Sequence, residues 1–129
     1  MRTKIHYKLT APYTARSEGA KGIEVPHRND VLEHITLDDA FPDIQLNVLD
    51  TIAGNVSMTT EPSNDKHGNV MFVRDVLVFD FYLDVSCPSI NATKEMIRDE
   101  ALKGLMFGLD EYDSHPNFEF LDFYYTEEA

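Results

Sequence analysis

Residues 76–85 read VLVFDFYLDV, a run of large apolar side chains interrupted by two aspartates. Leu77, Phe79, Phe81, Leu83 and Val85 occupy the odd positions; Val76, Val78, Asp80, Tyr82 and Asp84 occupy the even ones. Alternate residues of a strand point to opposite faces, so the pattern predicts a strand with one wholly apolar face and one mixed face that carries both carboxylates. At ~3.3 Å per residue the two acids stand roughly 13 Å apart along the strand. That is too far to share a metal ion or a proton, and it exceeds the about 5–9.5 Å between the carboxyl groups of glycoside hydrolases. Any chemistry at Asp80 or Asp84 needs a group from another strand.

The stretch TKIHYKLT at 3–10 offers such groups. Ile5, Tyr7 and Leu9 alternate with Lys4, His6 and Lys8, the pattern of a half-buried strand. Beside 76–85, this strand would turn the aspartates into cross-strand ion pairs worth roughly 0.2–1 kcal/mol each. The functional version of the same neighbourhood is a His6–Asp80 dyad with Tyr82 as a second hydrogen-bonding group. It requires ring and carboxylate within ~2.6–3.2 Å of each other, in a pocket.

Outward from this pair, NVSMTT at 55–60 reads as a strand, and the turn-forming EPSNDKHGN that follows predicts a hairpin with 70–85. Residues 43–53 fit a strand better than a helix. Helix-start signals at Asp30–Glu33 and Thr36–Asp39 predict a short helix or two between Asp30 and Phe41, stopped by Pro42. Residues 92–112 predict the longest helix, with Ile97, Ala101, Leu105, Leu109 and Tyr112 on one stripe. Gly104 and Gly108, four apart, would let another backbone come close. A last strand, FEFLDFYY at 118–125, has aromatics on both faces: Phe118, Phe120 and Tyr124 with Asp122, and Leu121, Phe123 and Tyr125 with Glu119. Such a strand is either covered on both sides or meets another chain. The fold class is therefore α+β: a single domain over 1–129, with a mainly antiparallel sheet packed against one long C-terminal helix and one or two short helices. Residues 11–28 show neither period and form an extended loop or arm.

The net charge is −12 and unevenly placed: residues 1–28 carry +4, and 29–129 carry −16. From Gly104 to Ala129 there are seven acids and no Lys or Arg. This argues against direct nucleic-acid binding, because the acidic body repels phosphates. It favours a cationic protein, or another copy whose basic arm meets the acidic surface. No window is apolar enough for a membrane span, and the single cysteine, Cys87, forms no intrachain disulfide. A cytoplasmic protein, or part of a virion assembled in the cytoplasm, is expected. The histidines lack metal-ligand spacing, and SNDKHGN at 63–69 lacks the closing Glu of a calcium loop, so no metal or cofactor is expected.

No catalytic signature occurs, and no catalytic residue is assigned. The sequence points first to a non-enzymatic interaction protein, a self-assembling or structural subunit that docks its basic arm on an acidic body. The partner-binding candidates are Arg16, Lys21 and Arg28 on the arm, and Asp110, Glu111, Asp113, Asp122 and Tyr124 on the body. The alternative is an acidic inhibitor or immunity-type protein that imitates nucleic-acid phosphates and blocks a basic cleft. A second alternative is a small enzyme or ligand-binding protein using His6 and Asp80.

Overall fold

The computed structural model describes residues 1–14, 24–38, 44–64, 66–113 and 116–127. Strand β1 (Arg2–Pro12) is followed by helix α1 (Arg28–Glu33) and the short strand β2 (Ile35–Leu37). Two long strands come next, β3 (Asn47–Asn64) and β4 (Val70–Ser86). Helix α2 (Lys94–Gly104), the short strand β5 (Leu105–Phe107) and strand β6 (Asn117–Glu127) complete the order. The main sheet runs β3-β4-β1-β6, and β2 pairs with β5 in a separate two-stranded sheet. All the pairings are antiparallel.

The alternation in the sequence is what divides the sheet. Ile5, Tyr7, Leu9 and Ala11 of β1 and Leu77, Phe79, Phe81, Leu83 and Val85 of β4 are buried in one core cluster. Val31 of α1 and Ile97 and Ala101 of α2 belong to the same cluster, so both helices cover the same face. The Tyr7 hydroxyl reaches across the layer and donates to the Arg98 carbonyl of α2 at 3.0 Å. Burial pushes the titration of that hydroxyl well above the ordinary tyrosine range. The opposite face of the sheet carries Lys4, His6 and Lys8 of β1 beside Asp84, Tyr82 and Asp80 of β4. The β3–β4 turn contains Gly68 at φ +83°, a left-handed conformation that glycine adopts without strain.

The helices depart from the sequence reading. The expected long C-terminal helix is α2, which has 11 residues, lies mid-chain and is followed by two strands. Its N-cap is Thr93, whose hydroxyl accepts the Met96 N–H at 3.2 Å. It ends at Gly104 because the next three residues pair with β2, burying Leu105 and Phe107 on either side of exposed Met106. A period of two overrides the helical stripe there. Gly104 does permit close approach of a backbone: a Cβ at that position would collide with the Asp38 carbonyl oxygen. Gly108 faces open space and serves no such purpose. Helix α1 is capped by His27, whose Nδ1 accepts the Asn29 N–H at 3.2 Å, and Asp30 falls inside its first turn. The chain then turns into β2 rather than a second helix; the stop expected at Phe41-Pro42 lies outside the described residues. The strand expected over 43–53 begins at Asn47, and Ile44 and Leu46 are buried just ahead of it. Among the described residues, no helix is long and apolar enough to cross a membrane.

Candidate functional site

The open face of the main sheet gathers the chemically active side chains. Its centre is His6. The ring Nε2 lies 2.7 Å from Asp80 Oδ2, and Nδ1 lies 3.5 Å from Asp122 Oδ1. The ring stacks on Tyr82 with centroids 4.3 Å apart and planes 9° from parallel. An ionised carboxylate accepts only, so Nε2 carries the hydrogen and donates to Asp80. The other oxygen of Asp80 accepts the Asn55 backbone N–H at 2.8 Å.

Local backbone irregularities build this arrangement. Ala53 pairs with Phe81 and Val56 with Phe79, so Gly54 and Asn55 together oppose Asp80. Such a bulge turns the Asn55 N–H toward the carboxylate. The missing side chain of Gly54 leaves room for it, because a Cβ there would lie 2.7 Å from the Asp80 carbonyl oxygen and closer still to its carboxylate. Strand β6 has two further bulges. Its register against β1 shifts between His6 and Tyr7 and between Lys4 and Ile5, which inserts Leu121 and Tyr124 as extra residues. Each insertion resets the phase of the strand. Phe118, Phe120 and Phe123 all turn to the core. Glu119, Asp122, Tyr124 and Tyr125 all turn to the open face, where they meet Lys8, His6, Lys4 and Asp84. Strict alternation had divided these aromatics between two faces. The bulges separate them into one apolar set and one polar set, so the strand is an edge strand with a clean core side.

A second group adjoins the first. Asp84 is buried, 5% exposed, although it lies on the open side of β4. Arg2 covers it with a paired contact, Nε to Oδ1 at 3.1 Å and Nη2 to Oδ2 at 2.8 Å, and the Tyr125 hydroxyl donates to Oδ2 at 3.1 Å. The Arg2 hydrogen bond holds the Asp84 carboxyl below the usual range against the opposing effect of burial, with Tyr125 assisting. Lys4 sits over two rings, 4.7 Å from the Tyr124 centroid and 5.5 Å from that of Tyr82. Lys8 pairs with Glu119 at 3.3 Å. The cations of β1 thus meet acids and aromatic faces of their own chain.

The sequence-derived candidates fall into separate places. Asp122 and Tyr124 join the His6 cluster. Asp110, Glu111 and Asp113 follow β5 near the far end of β1; Tyr13 there is seven residues from His6, roughly 23 Å along the strand. Glu111 is an internal clamp. Its carboxylate accepts the Tyr13 hydroxyl at 2.9 Å, and its carbonyl accepts the N–H and hydroxyl of Thr14 at 2.7 and 3.0 Å. These contacts hold it at φ 77°, unusual for a residue with a side chain. The Glu111 hydrogen bond also raises the titration of Tyr13. Arg28 is exposed at the start of α1. Arg16 and Lys21, the centre of the expected arm, lie outside the described residues. Sequence reasoning placed Asp80 and Tyr82 with His6 but did not bring Asp122 to His6 or Tyr124 to Lys4 and Tyr82; strand order was the absent information.

The His6–Asp80 geometry meets the distance that a dyad requires and engages Nε2, which leaves the other ring nitrogen, Nδ1. That nitrogen faces another carboxylate on an open sheet surface. Three cavities lined by described residues lie elsewhere: one beside Pro88–Glu95, one around Met1 and Cys87, and one between Glu33, Phe107 and Pro116. Among the described residues, no group of three or more His, Cys, Asp or Glu is placed to hold a metal ion. No family model, curated protein or solved structure matches the chain.

Proposed function

We propose that the protein acts by binding another protein rather than by catalysing a reaction, and that the partner presents a cationic surface. The observation that carries this reading is where the N-terminal cations go. Arg2 and Lys8 pair with acids of their own sheet, as the His6 ring does, and Lys4 rests on its tyrosines. These four groups are therefore engaged within their own sheet, while the chain keeps a net charge of −12. A surface of one sign steers and selects partners of the other, and it repels nucleic-acid phosphates. An acidic protein that occupies the basic cleft of an enzyme or toxin, its carboxylates standing where phosphates would, is the form that this charge supports best.

Self-assembly is the second reading, and β3 favours it. This strand of 18 residues lies at the edge of the main sheet, with Val48 and Leu49 44% and 49% exposed. A long edge with apolar side chains is a template for pairing with a second copy, although the bulges at Leu49 and at Gly54–Asn55 weaken this edge as bulges do in β6. Light scattering on the full chain separates the two. The first reading expects a monomer at low salt that takes up an octalysine peptide and releases it at about 0.5 M salt. A concentration-dependent oligomer that the double substitution Val48→Lys/Leu49→Lys dissolves, with no uptake of the peptide, would establish the second reading and remove the first.

A further inference from the structure

The open face of the sheet shows where a cationic partner would sit. We propose that its β6 side, formed by Glu119, Leu121, Asp122 and Tyr124, is the docking surface for a lysine- or arginine-bearing segment of a protein partner, with Tyr124 stacking on one incoming cation. This rests on the interaction reading above and adds the place and the chemistry.

Four observations lead there. First, both helices pack on the opposite face, so among the described residues no helix covers this side of the sheet. Second, the exposed groups are of the right kinds. Glu119 and Asp122 side chains are 52% and 65% exposed, Tyr124 is 63% exposed and Leu121 38%. A tyrosine flanked by an apolar residue and paired acids is the mixture from which interface anchors are made. Third, the face already captures cations of its own chain in this manner. Lys4 lies over Tyr124 and Tyr82, and Arg2 lies 5.9 Å from the Tyr125 ring centroid while it pairs with Asp84. The rings and acids are thus set at the spacing a cation requires, and Tyr124 keeps most of its surface exposed. Fourth, the two bulges disrupt the outer edge of β6. A bulged edge resists strand pairing, so the partner approaches over the face rather than along the edge.

Charge decides among occupants. A second copy would bring its own net charge of −12 against this surface, with its β1 cations already engaged by its own acids and tyrosines, and like charges oppose binding. A nucleic acid would bring phosphates to the same carboxylates. A cationic protein segment suits both the acids and the exposed ring.

The test uses the full chain, uniformly ¹⁵N-labelled, titrated with octalysine and with octaglutamate at low salt, with amide shifts and affinity recorded. Octalysine is expected to move amides of 118–126, Lys4, His6 and Tyr82 foremost, and octaglutamate to move none of them. The Glu119→Gln/Asp122→Asn protein and the Tyr124→Ala protein should each bind octalysine roughly tenfold more weakly. The Asp30→Asn/Glu33→Gln protein, changed on α1 across the core, should bind as the parent does. Lys4→Met frees both rings and removes a like charge, so it should bind several-fold more tightly, while Lys103→Met on α2 should not. Unchanged amide spectra outside the site establish that each variant is folded.

Octalysine shifts spread evenly over all acidic surfaces, or equal losses in the α1 and β6 variants, would overturn the docking surface while leaving a cation-binding protein. No octalysine binding by the parent at low salt would overturn the interaction reading as well. Self-association that Tyr124→Ala abolishes would make a second copy the occupant and also overturn the proposal.

Discussion

Asp84 lies on the face of β4 that points away from the core, yet it is buried. The guanidinium of Arg2 and the hydroxyl of Tyr125 replace the water it has lost. Removing the charge should therefore matter more than at an exposed acid. Asp84→Asn is expected to lower stability by roughly 1.5–3 kcal/mol, read from urea unfolding at pH 7. The sign of the pH dependence follows from the lowered titration of Asp84 in the fold. The unfolded state binds its proton at higher pH than the folded state does, so the stabilisation is complete above the ordinary value of about 4. It disappears as pH falls through the depressed folded value. Between pH 5 and pH 2 the parent should lose more stability than Asp84→Asn; equal losses would show that other groups control the acid limb. Gly54 makes a second residue-scale prediction. Its Cβ has no space beside Asp80, so Gly54→Ala should cost about 1–3 kcal/mol. Gly108→Ala, in open space, should leave the urea midpoint nearly unchanged.

At the scale of elements, the junction of α2 with the β2–β5 pair shows local preference and packing pulling in opposite directions. Helix propensity alone makes an exposed Gly→Ala change within a helix stabilising by roughly 1 kcal/mol. At Gly104 the outcome should reverse, because the new methyl group meets the Asp38 carbonyl, whose residue also donates its N–H to the Gly104 carbonyl at 2.7 Å. Gly104→Ala is expected to destabilise the protein and to speed amide hydrogen exchange at Leu37 and Phe107. A gain in stability would mean that the two segments separate without cost. The bulges of β6 belong to this scale too. Two inserted residues turn a strand whose strict alternation would scatter aromatics onto both faces into one whose phenylalanines all reach the core.

For the whole molecule, charge is the governing quantity. With a net charge of −12 the folded chain repels itself, and salt screens that repulsion. The melting temperature should rise between about 10 and 150 mM salt. A fall would mean that the attractive pairs of the open face outweigh the repulsion of the rest. The same quantity argues for a cationic partner.

The strands were legible in the sequence because their signal is local. The period of two in 3–10 and 76–85 fixed which residues of β1 and β4 face the core, before any neighbour was known. The hairpin of β3 and β4 was legible from its turn residues, and a helix over the α2 stretch from the stripe that includes Ile97 and Ala101. Composition determined the surplus of acid. The tertiary structure alone decided the rest, because each remaining feature depends on residues far apart in the chain. That β1 lies between β4 and β6 is what brings His6 to Asp80 and Asp122, and Arg2 to Asp84. That Leu105–Phe107 finds Ile35–Leu37 is what shortens the helix. Periodicity records which way a side chain points, but only the pairing of distant strands determines what it meets.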